Sequence, residues 1–79
     1  MKLTDIFANV FSEPQGAIST EINTKNFRKW DSLAHVELLT AVEKAYRIRF
    51  SGTELTTLTS YAAILQALRK KGVEHSTLE

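Results

Sequence analysis

The chain contains no cysteine, and that absence removes disulfide scaffolds, thiolate metal centres and cysteine nucleophiles together. Its two histidines, His35 and His75, are too far apart in sequence to suggest a zinc or copper site, so no metal is expected. Charge of one sign is also missing: ten Lys and Arg against nine Asp and Glu give a formal charge of +1. Such balance argues against a nucleic-acid binder, the more so because the basic residues do not cluster along one recognition helix. No apolar run approaches membrane-spanning length, and Met1-Lys2-Leu3-Thr4-Asp5 lacks the apolar stretch and small-residue cleavage site of a secretory signal. The expectation is a soluble, cytoplasmic monomer with no stable membrane association.

What is present is enough apolar material, 43% of 79 residues, for one small domain. A domain this small has a thin margin of buried surface, so packing must supply its stability. The domain is expected over residues 1–73, with 74–79 a flexible tail.

Periodicity predicts an all-α bundle with three principal helices and a short one before the last. Leu3, Ile6, Phe7, Val10 and Phe11 repeat at three- and four-residue steps and form one face of a first helix, with Pro14 and Gly16 as its stop. Residues 12–30 show no sustained period, but Ala17, Ile18, Ile22 and Phe27 are spaced to pin this long connection onto a core. The second helix is predicted over Ser32 to Tyr46, capped by Asp31, with Leu33, Val36, Leu39, Val42 and Tyr46 facing inward. Ile48-Arg49-Phe50 alternates like a strand, yet three residues without a partner make no sheet, so this is read as an extended linker. Ser51 and Glu54 have capping-box spacing for a short helix that carries Leu55 and Leu58 into the core. Thr59 or Ser60 then caps a last helix with Tyr61, Ile64, Leu65 and Leu68 on one face, closed by Arg69-Lys70-Lys71-Gly72.

Ser32 stands at the first turn of the second helix, away from the expected apolar stripe. Free amides and the positive end of the helix dipole would stabilise a phosphate ester at that hydroxyl. The plainer reading is that Ser32 helps Asp31 cap the helix. Asp31, Ser32 and His35 also supply the residue types of a hydrolase triad. Sequence spacing alone does not place the imidazole between serine and carboxylate, and a glycine-flanked nucleophile turn is missing. No catalytic residue is therefore assigned, and the chain is not expected to be an enzyme.

The stretch Asp31-Ser32-Leu33, then Val36-Glu37-Leu38-Leu39 and Val42-Glu43, with Ile48 and Phe50 following and Leu58-Thr59-Ser60 opening the last helix, resembles the acyl carrier protein family. The similarity runs from Trp30 to Lys71 without gaps, and more loosely over the first helix. It implies that Ser32 receives 4′-phosphopantetheine from coenzyme A through a separate magnesium-dependent phosphopantetheinyl transferase. It also implies that the chain carries acyl groups as thioesters between acyl-loading and acyl-consuming enzymes. By the same resemblance, Val36, Leu39, Ile48, Phe50, Leu55 and Leu58 would line an acyl pocket, besides packing the core. Asp31, Leu33, His35, Val36, Glu37, Glu43 and Trp30 would face partner enzymes.

Two departures bear on partners. From Asp31 to Arg47 there are three acidic residues (Asp31, Glu37, Glu43) against two basic ones (Lys44, Arg47), a net of only minus one. Lys25, Arg28 and Lys29 precede this segment, whereas the best-known fatty acid carriers present a strongly acidic second helix. A specialised carrier for a lipid, secondary-metabolite or surface-polysaccharide pathway is therefore expected. The second departure is Trp30, in place of a glycine-containing approach; it is read either as a contact for arm or partner or, preferably, as the indole that closes the bundle. A peptidyl or aminoacyl carrier and an unmodified helical adaptor remain the alternatives.

Overall fold

The structure, a computed structural model, describes residues 2–73. The predicted flexible tail, 74–79, lies outside the described residues. Four helices follow one another: α1 (Leu3–Phe11), α2 (Ser32–Tyr46), α3 (Gly52–Thr57) and α4 (Tyr61–Lys70), with a 3-10 turn at Gln15–Ala17. There is no strand among the described residues, and Ile48-Arg49-Phe50 lies in an irregular linker between α2 and α3. The protein is a small all-helical bundle.

Each later helix starts at a side-chain cap. Asp31 Oδ1 accepts the Ala34 amide at 2.8 Å and Ser60 Oγ the Ala63 amide at 3.0 Å. Ser51 and Glu54 close a reciprocal capping box, at 2.8 and 3.2 Å. The helix ends are equally local. After α4, Gly72 (φ 88°) takes the left-handed conformation, with Gly72 N–H donating to Arg69 O at 3.1 Å and Val73 N–H to Leu68 O at 3.0 Å. The same turn ends α1 at Ser12 (φ 54°) and α2 at Arg47 (φ 56°), residues that adopt this conformation at a cost of about 1–2 kcal/mol. The first helix therefore stops at Ser12, ahead of the expected Pro14 and Gly16.

One core runs through the bundle. Leu3, Phe7, Leu38, Leu39, Val42, Ile64 and Leu68 are fully buried. Phe7 is its aromatic hub, with ring centroids 5.4 Å from Trp30, 5.1 Å from Tyr61 and 5.9 Å from Phe11. Pairs of this kind add about 0.5–1.5 kcal/mol each beyond their buried area. Trp30 is 3% exposed, so the indole closes the bundle.

The connection from 12 to 31 is tied down as its apolar anchors predict, although Ala17 is exposed. Ile18 and Ile22 are buried, and Phe27 packs edge-on against Phe11 at 4.9 Å. Two asparagines brace the middle of the loop: Asn23 Oδ1 accepts the Lys25 and Asn26 amides, and Asn26 Oδ1 accepts the Asn23 amide. Thr24 N–H donates to Thr59 O and Tyr61 N–H to Ile22 O, both at 3.0 Å, which fastens this loop to the start of α4. Lys29 fastens the other end, pairing with Glu13 and donating to Phe11 O.

The inward face of α2 differs from expectation. Leu38, Leu39 and Val42 are buried, whereas Leu33 and Val36 are 71% and 62% exposed. At about 3.6 residues per turn these two fall on the opposite side of the helix from Leu38. The sequence thus carries two apolar stripes, of which the bundle covers one. Leu55 is likewise 41% exposed rather than buried, because α3 is a single short helix lying on the surface while Leu58, just past its end, takes the core position.

Candidate functional site

Three serines stand at helix starts, and the structure separates them. Ser51 and Ser60 are cap residues whose hydroxyls accept backbone amides. Ser32 lies one residue inside its helix, because Asp31 occupies the cap. Ser32 is exposed, and among the described residues nothing is hydrogen-bonded to its hydroxyl. The reading in which Ser32 caps the helix is therefore replaced: Asp31 does that work alone. The amides of Ser32 and Leu33 belong to the first turn and have no intrahelical acceptor.

Ser32 opens onto a cleft of about 450 Å³ between the start of α2, α3 and the Thr24–Thr59 crossing. Val36 and Leu55 give it apolar walls, and Trp30, His35, Thr24, Thr56 and Thr59 complete the lining with Asp31. The wall of the cleft is mainly apolar, and the three large hydrophobic side chains with most exposure, Leu33, Val36 and Leu55, all belong to the two helices that flank it.

His35 holds this arrangement together. The Trp30 indole Nε1–H donates to His35 Nδ1 at 3.0 Å, and His35 Nε2 lies 2.6 Å from Leu55 O. An indole nitrogen only donates and a carbonyl only accepts, so the imidazole is the neutral form with its proton on Nε2. The ring also stacks near Trp30, with centroids 6.1 Å apart and planes 28° apart. His35 thereby satisfies a carbonyl of the last turn of α3 and ties α3 to α2. Both its nitrogens are engaged by groups other than Ser32 and Asp31, so no Ser-His-Asp relay is assembled. His35 is half-buried and also lines the open cleft, so it belongs to the surface around Ser32 as well as to this bridge.

The remaining expected site residues separate into two groups. Ser32, Asp31, Leu33, Val36 and Glu37 share the exposed face at and after the start of α2, although Asp31 uses its carboxylate as a cap. Glu43 does not belong to it: its carboxylate accepts the Phe50 amide at 2.8 Å and fixes the α2–α3 linker. Of the expected pocket lining, Val36 and Leu55 are at the cleft. Leu39, Phe50 and Leu58 are buried in the core and Ile48 packs against it, so these four do not line the cleft. Thr24, Thr56 and Thr59 do, and sequence reasoning missed them because they come together only where the loop, α3 and the start of α4 meet. Among the described residues there is no group of three or more His, Asp and Glu placed to hold a metal, and no helix is long and apolar enough to cross a membrane. Neither a scan against protein-family models nor a search of curated proteins finds a match to this chain.

Proposed function

We propose that this chain is a carrier that holds acyl groups on a 4′-phosphopantetheine arm attached to Ser32. The observation that carries the reading is the free, exposed Ser32 hydroxyl, one residue inside a helix already capped by Asp31. The resemblance of residues 30–71 to acyl carrier proteins gives that hydroxyl its meaning.

The residues present fit such an arm. A phosphodiester on Ser32 Oγ would lie within reach of the unpaired first-turn amides of α2, where the helix dipole favours negative charge. The cleft offers apolar walls for the methylene and gem-dimethyl parts of pantetheine. When bound, the arm supplies a terminal thiol on which acyl groups are held as thioesters. The attachment itself is work for a transferase: Ser32 Oγ displaces adenosine 3′,5′-bisphosphate from coenzyme A, and the serine proton passes to a base on that enzyme. Among the described residues no imidazole is placed to activate Ser32, because His35 is turned to Trp30 and Leu55.

Leu33 and Val36, exposed beside Ser32, are suited to hydrophobic contact with the loading and consuming enzymes, with Glu37 on the same helix. The weak net charge of this helix favours a dedicated partner set in a lipid, secondary-metabolite or surface-polysaccharide pathway over the synthase of bulk fatty acids. Loading by a housekeeping acyl synthase and by an enzyme encoded beside this chain should differ by an order of magnitude or more; equal efficiency would remove the specialised reading.

The absence of cysteine makes the test of the carrier reading simple, since the unmodified chain has no thiol. After incubation with coenzyme A, magnesium and a permissive transferase, followed by removal of free coenzyme A, thiol titration should find one thiol per chain, and none for Ser32→Ala. A chain that stays thiol-free with several transferases points instead to an unmodified helical adaptor.

A further inference from the structure

We infer that the cargo stays outside the bundle, and that the site is built for a short or polar acyl group rather than a long alkyl chain. This rests on the carrier reading above and deepens it. The route from Ser32 toward the interior, between α2 and α3, is closed by the Trp30–His35–Leu55 bridge, with its two hydrogen bonds of 3.0 and 2.6 Å. Behind it the space is filled. Trp30 packs against Phe7 and Phe11, and Leu38, Leu39, Val42, Ile64 and Leu68 are at most 1% exposed. An alkyl chain entering there would have to part the bridge and displace close-packed side chains.

The cleft in front of the bridge is a different environment. It is open to solvent, and none of Leu38, Leu39, Val42, Ile64 and Leu68 is among its lining residues. Ser32 is exposed and lines it, so an arm lying along it would occupy the apolar wall and leave the acyl end at the surface. A short or polar acyl group tolerates that exposure, whereas a long alkyl chain would lie in water. His35 is thus a positioning residue: its ring nitrogens are engaged by Trp30 and Leu55, and it acts by holding α3 and the indole in place.

The experiment loads the full chain with acetyl, butyryl, octanoyl and dodecanoyl pantetheine arms from the corresponding acyl-coenzyme A, with each product verified by mass. Melting temperature and methyl NMR shifts of Leu39, Ile64 and Leu68 are then compared. The expected result is one melting temperature to within about 1 °C across the series and interior methyl shifts independent of chain length. In His35→Ala, with helicity verified by circular dichroism, the dodecanoyl arm should shift those methyls while the acetyl arm does not. His35→Gln, which keeps an acceptor and a donor, should restore the wild-type pattern at least in part.

Stability that climbs with chain length in the wild type, together with interior shifts, would overturn the inference while leaving the carrier reading intact. Indifference of His35→Ala to chain length would overturn the role given to the bridge. Failure of every arm to attach at Ser32 would remove the carrier reading and this one with it.

Discussion

Ser32 and Asp31 are neighbours with separable duties, and the division can be measured. The Asp31 carboxylate satisfies the Ala34 amide, so Asp31→Ala should lower stability by about 1 kcal/mol in urea denaturation. Ser32→Ala should stay within about 0.5 kcal/mol of the wild type, because that hydroxyl has no partner among the described residues. The reverse ranking would return Ser32 to a structural role. The Asp31 cap was legible in the sequence, since an acidic residue directly before an apolar-periodic run is a local signal. The duties of His35 and Glu43 were not. Each is decided by a backbone group outside the helix that carries it, Leu55 O twenty residues on for the imidazole and Phe50 N–H seven residues on for the carboxylate, and no capping or periodicity rule encodes such a pairing.

Among the elements, α2 is where sequence and structure agree on boundaries and disagree on orientation. Its span, Ser32–Tyr46, is set by residues inside and next to it: the Asp31 cap and the left-handed turn at Arg47. Its inward face is set by its neighbours, which cover Leu38, Leu39 and Val42 and leave the second apolar stripe, Leu33 and Val36, in water. Periodicity alone cannot choose between two stripes on one helix. The exposed stripe beside Ser32 therefore emerges only from the packed structure. Near the end of α2, Tyr46 reports on how the helices meet. Burial, followed by the nearby Tyr61 of α4 and Asp5 of α1, pushes its phenol from 10.0 up to about 12. A raised pKa in the folded state contributes stability that is complete below pH 10.0 and is lost as pH rises toward about 12. Denaturation midpoints followed across that window should fall more steeply for the wild type than for Tyr46→Phe, and superimposable profiles would contradict this packing. At α3 the sign is opposite: the Ser51 amide, then Lys71, hold the Glu54 carboxyl below its usual range, so its contribution is present at neutral pH and fades in acid.

For the whole molecule, the sequence carries the architecture and the structure supplies the site. Four helices, their caps and the anchoring of the long loop by Ile18 and Ile22 follow from spacing and capping chemistry. The cleft does not, because it forms where the start of α2, the short α3 and the Thr24–Thr59 crossing converge, from segments remote in sequence. Its formation beside a serine whose hydroxyl has no partner among the described residues joins fold to the proposed function, in which the chain offers that hydroxyl to a transferase. Peptide mass spectrometry of the chain incubated with coenzyme A, magnesium and a permissive transferase tests that claim most directly. The account predicts a gain of one phosphopantetheine confined to the peptide containing Ser32, with no gain in Ser32→Ala. An unmodified Ser32 peptide with several active transferases, or the arm found on another residue, would contradict it.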